Sequence, residues 1–490
     1  MRVAVLGQGS IGRRHAQIAL DLGHRPVAYD PAPLSPTLPG VEQVSGVEQA
    51  SSVDECLQQA DAAIVASPSS EHASQARAAI EQDVPVLVEK PLALDRVSAA
   101  ELDWLARERG VLLSVAMNLR EHPGVLALRE LTAQGAIGEI LSASLWCGSW
   151  LPGWRGGVDY RDSYSARREL GGGALLDVAV HELDYLLWLA GPIRSVGALA
   201  RRVSALQLDV EDVAQLSLEL TGGGVAQLTV DYFDRAYTRG CRIVGSRGTL
   251  HWSWERQSLT RYDESGAGSP QSIPSDVAPT YRRQLERFLD AVEEGTQAPV
   301  PAVYAQQVLA VVDAARRASH EGRRVALVPI PTLREADERD RERLLAWRND
   351  PLTRRWSRCS REVGDEEHVR WLRQTLSDSR TSLWLAECDG RPVGQVRVGP
   401  REGEDAEIHV ALAPQARGQG FGSAVLVQAG ARALADPGTE QLHAHVKAEN
   451  EASLRAFTAA GFQAAGTAED GLLRLERRRA SAAATALSAR

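Results

Sequence analysis

The chain has 490 residues, too many for one hydrophobic core, and the usual size of about 100–200 residues per domain predicts roughly three compact units. With 44% hydrophobic and 24% charged residues its composition is that of an ordinary globular protein, which excludes wholesale disorder and fibrous repeats. A net charge of −9 argues against a nucleic-acid binder, which needs a basic surface to displace counterions from phosphates, so small-molecule substrates are expected. No run of about 18 apolar residues is present to span a membrane. Five scattered cysteines without a CxxC pair read as reduced thiols and not as disulfides or a zinc site. Met1–Gly7 runs into a strand pattern with no leader, so a cytoplasmic protein without membrane or nucleic-acid partners, and with no bound metal, is expected.

Over residues 1–120, β-branched runs at Arg2–Leu6, Pro26–Tyr29, Ala62–Ala66, Pro85–Val88 and Val111–Val115 alternate with helix-like stretches. That alternation predicts an α/β unit with a parallel sheet. Gly7-Gln8-Gly9-Ser10-Ile11-Gly12 follows the first run and opens the first helical one, the context of a dinucleotide fingerprint. Gly7 allows the tight turn, Gly9 lets backbone approach a pyrophosphate, and Gly12 lets helix and strand pack closely; Ser10 and Ile11 begin the helix whose amides meet the phosphates. A Rossmann domain binding NAD(H) is expected. Asp30 ends the second strand near the spacing of the carboxylate that binds the ribose hydroxyls, which favours NAD over NADP; the alternative is that Asp30, before Pro31, opens a turn.

After Asn118 comes one helical pattern, Pro123–Gln134, then alternating strands at Ile140–Cys147, Val213–Leu220, Gly224–Tyr232 and Thr249–Trp254, then helical patterns at Thr280–Glu294 and Val303–His320. An α+β substrate domain with a mostly antiparallel sheet is expected over 121–328. The prolines at 329 and 331 predict an extended linker over 329–332. Leu333–Trp347 reads as a helix, Leu383–Cys388 and Arg391–Val398 as a hairpin around Asp389-Gly390, and Glu407–Leu412 as a strand entering a glycine-rich turn. This third, α+β unit is expected over 333–478, and the alanine- and arginine-rich end that starts at Arg477 reads as a frayed tail, with the domain limit set before 479.

The first two units resemble the glucose-fructose oxidoreductase/inositol dehydrogenase (Gfo/Idh/MocA) family. Ser67-Pro68-Ser69 with His72 is similar to that family's cofactor-contacting turn, Glu89-Lys90-Pro91 to its EKP signature, and Asn118-Leu119-Arg120 to the segment after it. Ser67 and Ser69 stand where Thr and Asn are usual in the family. Gly171-Gly172-Gly173 through Asp177, His181 and Asp184 closely resembles its GGGxLxDxGxHxxD block. On a regular helix Asp177, His181 and Asp184 would share one face at i, i+4 and i+7. The resemblance implies oxidation of a secondary hydroxyl, with His181 as base, Lys90 holding the oxygen or sharing that role, and Asp177 orienting the imidazole or binding a sugar hydroxyl. Asn118, Arg120 and Asp184 are expected at the substrate. Arg155, Tyr160, Arg161 and Tyr164 could bind a sugar diphosphate, or could form a solvated loop whose arginines pair with Asp159, Asp162 and Glu169. Members of this family commonly form homo-oligomers through the second-domain sheet.

The third unit resembles the GNAT acetyltransferases. Gln415, Gly418 and Gly420 supply that family's Q/R-x-x-G-x-G/A core, and Arg417, Gln419, Phe421 and Gly422 complete a loop whose amides could hold the pyrophosphate of acetyl-CoA. Asn450, Ser453 and Phe457 are similar to its next strand-helix unit. Many relatives protonate the leaving thiolate with a tyrosine where this chain has Phe457, which leaves the donor open. Glu407 or His409, on one strand and facing the same way, could deprotonate the amine. Arg348 and Asn349, with His368, resemble N-acetyltransferases of nucleotide-linked amino sugars, including those of pseudaminic acid biosynthesis; a helix cap and an amphipathic helix are the other reading. Together the halves point to a bifunctional enzyme of nucleotide-sugar biosynthesis that oxidises a UDP-sugar at C3 and N-acetylates an amino sugar. Alternatives are free sugars, inositols or aminoglycosides as substrates, or a non-catalytic NAD and acetyl-CoA sensor.

Overall fold

The computed structural model describes residues 1–31, 44–154, 159–388, 390–468 and 471–479. The chain divides into two compact units, one of Met1–Ala99 and Arg109–Leu327, the other of Ala100–Glu108 and Val328–Ser481.

The larger unit opens on a six-stranded sheet of β1 (Arg2–Leu6), β2 (Arg25–Tyr29), β3 (Glu48–Gln49), β4 (Ala62–Val65), β5 (Val86–Glu89) and β6 (Leu113–Ala116). Its order is β3-β2-β1-β4-β5-β6 with every pair parallel. Both faces of such a sheet are covered at its centre, so the central strands read as apolar runs; Val3, Ala4, Val5 and Leu6 are wholly buried. The crossovers are α1 (Ser10–Asp21), α2 (Val53–Leu57), α3 (His72–Glu81) and α4 (Arg96–Arg109). Ile18 and Ala19 of α1 share one core with Val3, Val5 and Ile64 and with Leu285, Phe288 and Leu289 of a later helix, α7.

After α5 (Pro123–Ala133) the chain builds a nine-stranded sheet from β7 (Ile140–Trp150), β8 (Ile193–Arg201), β9 (Val213–Leu220), β10 (Val225–Asp231), β11 (Phe233–Gly245), β12 (Gly248–Ser253), β13 (Ser258–Tyr262), β14 (Gly268–Ser272) and β15 (Val325–Ala326). The order is β14-β13-β12-β11-β7-β10-β9-β8-β15, antiparallel except between β7 and β10. Along β9, buried Ala214, Leu216, Leu218 and Leu220 alternate with more exposed residues, which leaves one face packed and one open. Helices α6 (Val180–Ala190), α7 (Ala278–Glu294) and α8 (Ala302–Glu321) complete the unit.

The second unit holds a seven-stranded sheet of β16 (Thr332–Glu335), β17 (Ser382–Cys388), β18 (Arg391–Val398), β19 (Asp405–Leu412), β20 (Gln441–Val446), β21 (Gln463–Thr467) and β22 (Leu473–Arg478). They run in the order β16-β17-β18-β19-β20-β22-β21, parallel only between β19 and β20. Helices α9 (Arg341–Asn349), α10 (Pro351–Trp356), α11 (Asp365–Ser377), α12 (Phe421–Ala435) and α13 (Glu451–Ala459) accompany it. Ala406, Ile408, Leu442, Ala444 and Val446 are buried on one side of the sheet, so Glu407, His409, His443 and His445 leave by the other.

Two expectations are corrected. Leu333–Trp347 is not one helix: Thr332–Glu335 pairs with β17 as an edge strand, and α9 starts only at Arg341. Asp337 is the stop signal between them, its carboxylate accepting from the Arg339 amide and forming a capping box with Asp340. Arg477 and Arg478 are not tail but the end of β22, paired with Leu442 and Gln441. The Arg477 guanidinium is buried and donates to the Ala460 carbonyl at 3.0 Å, a contact no local pattern announces.

Candidate functional site

The dinucleotide motif sits where β1 turns into α1, at the carboxyl ends of the parallel strands. A Cβ on Gly12 would lie 1.9 Å from the Gly7 carbonyl oxygen, so only glycine lets the helix close onto this turn. Nothing lies within 4 Å of the Cβ position of Gly9, and no side chain caps α1. An open concavity at an uncapped helix start fits a pyrophosphate. Ser10 and Ile11 form the first turn of this helix. Asp30 accepts from the Gln8 amide at 2.6 Å, which ties the second strand's end to the glycine turn. The Ser67 hydroxyl donates to the Pro68 carbonyl at 3.4 Å.

His72 is corrected from a cofactor contact to a clamp. It is 1% exposed, with Nδ1 2.7 Å from the Pro91 carbonyl and Nε2 3.0 Å from the Ser67 carbonyl, so both ring nitrogens face the backbone of the two turns and neither faces an open cofactor site. Glu89 likewise faces protein: its carboxylate lies 2.8 Å from Nε2 of His15, a wholly buried residue of α1 that no motif in the sequence marks.

Beyond Glu89, the Lys90 ammonium donates to the Asp177 carboxylate at 2.9 Å and to the Asp177 carbonyl at 2.8 Å. Asp177 also accepts from the Tyr164 hydroxyl at 2.9 Å and the Tyr232 hydroxyl at 3.2 Å. Burial works against both charges, but each outweighs it for the other: Lys90 is held above its ordinary range and Asp177 below. The half-buried His181 is pushed well below the ordinary histidine range by burial first and then by the cations of Lys90 and Arg239, so it is neutral at physiological pH. Its Nδ1 is buried and without a hydrogen-bond partner among the described residues. Arg239 reaches this site from β11, 2.8 Å from the wholly buried Glu182 of α6. Neither Tyr232 nor the Arg239–Glu182 pair carries a local signal; strand pairing alone brings them here. The arrangement offers a fixed cation whose charge reaches a neutral imidazole, the two groups that removal of a hydroxyl proton requires.

Asp177, His181 and Asp184 do not share one helical face. Ala174–Ala179 is a π-helical turn and regular α6 begins only at Val180, so the extra residue per turn rotates Asp177 relative to the residues of α6. Asp184 and Arg120 are corrected from substrate contacts to a buried pair: the guanidinium donates to both carboxylate oxygens at 2.8 and 2.7 Å and stacks on Trp188 and Tyr304, with 6% and 3% side-chain exposure. Asn118, also buried, donates to the Thr280 hydroxyl at 3.0 Å. Of the loop residues expected at the substrate, Tyr164 reaches Asp177. The Tyr160 hydroxyl accepts from the Gln207 amide at 3.0 Å, Arg161 forks onto Asp159 on an exposed surface, and Arg155 lies outside the described residues.

In the second unit β19 runs through Gln415 into a turn where Gly418 and Gly420 have φ of +73° and +92°. α12 starts at Phe421 and Gly422 without a side-chain cap, a second uncapped helix start, and it fits the pyrophosphate of coenzyme A. The Gln419 side chain donates back to the Gln415 carbonyl at 2.6 Å. Arg417 does not point its guanidinium into the turn; it pairs with Asp350 at 2.7 Å and donates to the Thr353 hydroxyl at 2.8 Å, anchoring α10. Asn450 caps α13 through the Ser453 amide at 3.2 Å. Phe457 is buried against Phe462.

β19 and β20 pair only from Asp405↔Gln441 to Glu407↔His443, although they continue to Leu412 and Val446. Past Glu407 they are unpaired with each other, with His409 on one and His445 on the other. Glu407 is the hub: His445 Nδ1 lies 2.8 Å away, His409 Nε2 3.1 Å and Arg358 3.3 Å. Burial opposes its charge, and these partners hold the carboxyl far below its ordinary range. His445, His443 and Arg358 are site residues beyond those expected from sequence, although His443-Ala444-His445 on one strand is a legible signal. Arg348 donates to the Cys359 carbonyl at 2.8 Å, and Asn349 exchanges hydrogen bonds with the Val363 backbone at 2.8 and 2.9 Å. They pin the loop that carries Arg358. His368, 2% exposed, stacks on Trp371 with Nε2 3.1 Å from the Arg341 carbonyl, a buried packing residue where a substrate contact was expected.

The first site lies in an oxidoreductase with an NAD-binding Rossmann domain, and the second in an acetyltransferase domain of the kind that uses acetyl-CoA. The chain belongs to the Gfo/Idh/MocA oxidoreductase family: residues 1–117 match its NAD-binding Rossmann domain and 125–251 its C-terminal domain, while 332–463 match the acetyltransferase (GNAT) domain. It is 31% identical over 252 residues to a dTDP-3,4-didehydro-2,6-dideoxy-alpha-D-glucose 3-reductase of Saccharopolyspora spinosa, covering 50% of this chain and 72% of that one. A UDP-N-acetylglucosamine 3-dehydrogenase of Acidithiobacillus ferrooxidans is 27% identical over 310 residues, 60% of this chain and 88% of the relative. Two further relatives, 33% and 35% identical, are matched over 53% of their own length. A levoglucosan dehydrogenase solved with NADH and L-sorbose shares the fold, with a TM-score of 0.61 at 20% identity over 67% of this chain and 99% of that one. No helix among the described residues is long and apolar enough to cross a membrane.

Proposed function

We propose that the chain oxidises a secondary hydroxyl of a nucleotide-linked sugar, at C3 of a UDP-sugar, and N-acetylates an amino sugar. The observation that carries the first half is the Lys90 ammonium held by Asp177, with its charge acting on a His181 imidazole that stays neutral. When bound there, NAD+ supplies a hydride acceptor. Lys90 holds the sugar oxygen and His181 takes its proton, so no free alkoxide has to form in a buried site. Asp177, satisfied by Lys90 and two tyrosine hydroxyls, keeps the ammonium in place. A relative that is a UDP-N-acetylglucosamine 3-dehydrogenase supports the ring position and the nucleotide.

For the second half, the unpaired ends of β19 and β20 beside the glycine turn support a thioester entering next to Glu407 and His409; the His409 imidazole receives the amine proton, and Glu407, held ionised by its partners, orients that ring. Acetylation after oxidation and amination of the ketone is one chemical route to acetamido sugars, so the fused halves would bracket a transamination.

One observation favours a second reading. Arg161 is engaged by Asp159 and is not free for a diphosphate, which suits a free sugar, inositol or aminoglycoside. Purified protein with NAD+ should produce absorbance at 340 nm with UDP-sugars and not with the corresponding free sugars or inositols; the opposite preference sinks the nucleotide assignment. Thiol release from acetyl-CoA across amino sugars tests the other half.

A further inference from the structure

His443 and His445 are two residues apart on β20, so both rings leave the sheet on one side. β19 runs parallel beside it with Glu407 in register with His443, and its carboxylate leaves by the same side. The three side chains are thus brought together by backbone pairing and not by loops. One donor atom from each lies within 4.8 Å of the other two, and His445 Nδ1 is 2.8 Å from a Glu407 oxygen. The two rings stand 5.4 Å apart at 77°, edge to face and not stacked. Nδ1 of His443 is buried and has no hydrogen-bond partner among the described residues, a cost that a bound group at this point removes. Glu407 and His445 keep 21% and 11% side-chain exposure, enough for an ion to enter while most of its water is excluded.

We propose that Glu407, His443 and His445 bind one divalent transition-metal ion, with water in the remaining positions. Two imidazoles and one carboxylate are the donor set of zinc, cobalt and nickel, whereas magnesium and calcium demand oxygen ligands. The neighbouring cations decide how tightly. Arg474 is neutralised by Glu476 at 2.7 Å, and half-buried Arg397 adds an unfavourable charge. Arg358 competes directly for Glu407 at 3.3 Å, but its side chain is 50% exposed and can retreat into solvent. Metal and Arg358 therefore exchange at one carboxylate. If Glu407 serves acetyl transfer, the ion also withdraws it from the reaction; that consequence rests on the proposed acetyl transfer, while the binding does not.

The test uses the full chain, stripped with a chelator and titrated with Co2+ followed by its visible absorption, then with Zn2+ by calorimetry, without acetyl-CoA or amine. One equivalent is expected, with binding weakened at least about tenfold by His443→Ala and by Glu407→Gln. Arg358→Ala should bind several-fold more tightly, a gain that misfolding does not produce. Absence of the cobalt bands, or equal binding by wild type, His443→Ala and Arg358→Ala, overturns the proposal. With binding established, Zn2+ should stop thiol release from acetyl-CoA and excess chelator should restore it. An enzyme that binds cobalt but releases no thiol with any amine would overturn the acetyl-transfer reading and leave the metal site standing.

Discussion

The Lys90 ammonium lies 2.9 Å from the carboxylate and 2.8 Å from the carbonyl of Asp177, a residue 87 positions away. Two acceptors on one residue fix the cation in the cleft, and its charge belongs to the site at every physiological pH. Lys90→Gln should therefore lower kcat for NAD+ reduction by about 10²-fold or more while NADH affinity, measured by fluorescence, changes little. A loss confined to KM would place Lys90 in substrate binding alone.

His181→Asn should reduce kcat by about 10²–10⁴-fold, the usual contribution of a positioned base. Burial and the cations of Lys90 and Arg239 depress the wild-type imidazole, so it stays unprotonated well below pH 6.5. The rate of sugar oxidation should accordingly be flat from pH 8 down to 6.5 and fall only in more acidic buffer. An acid limb centred at pH 7 or above contradicts the assignment.

Arg120 and Asp184 neutralise each other where neither meets water. Arg120→Leu alone should cost about 3–5 kcal/mol by stranding a carboxylate, and the double change Arg120→Leu/Asp184→Leu should recover most of it. Urea unfolding of the three proteins measures this; equal stability of single and double variants rules out a structural pair.

His122 lies between Trp252 and Trp254 and caps α5 through the Gly124 amide at 3.1 Å. Burial, then Arg239, lowers its pKa to about 4. In the unfolded chain the same ring takes up its proton near pH 6.5. Below that pH the unfolded state binds more protons, and stability is lost as pH falls from about 6.5 through about 4. His122→Asn, which keeps a capping oxygen, should remove this slope. The wild type is then expected to weaken relative to the variant by on the order of 3 kcal/mol across the window, read by calorimetry on the transition that NADH raises.

Gly420 opens α12 at φ +92°, a conformation that a β-branched residue resists. Gly420→Val should raise the KM for acetyl-CoA at least about tenfold, with a smaller effect on the amine. An unchanged KM removes this turn from the coenzyme site.

What the sequence by itself determined was everything contiguous. Strand, glycine turn and helix succeed one another within about a dozen residues at Gly7–Gly12 and Gln415–Gly422, so the chemistry of an anion cradle is written in order along the chain. The same holds for the fold classes, because period and turn chemistry are local. Distant pairing decided the rest. Tyr232 reaches Asp177 from the end of β10, Arg239 reaches Glu182 from β11, and His445 reaches Glu407 only because β19 and β20 run in parallel register. Pairing also overrode local pattern: Thr332–Glu335 forms a strand because β17 offers an edge. A π-helical turn after Gly173 separates Asp177 from the face of Asp184, leaving one acid to hold Lys90 and the other to neutralise a buried arginine.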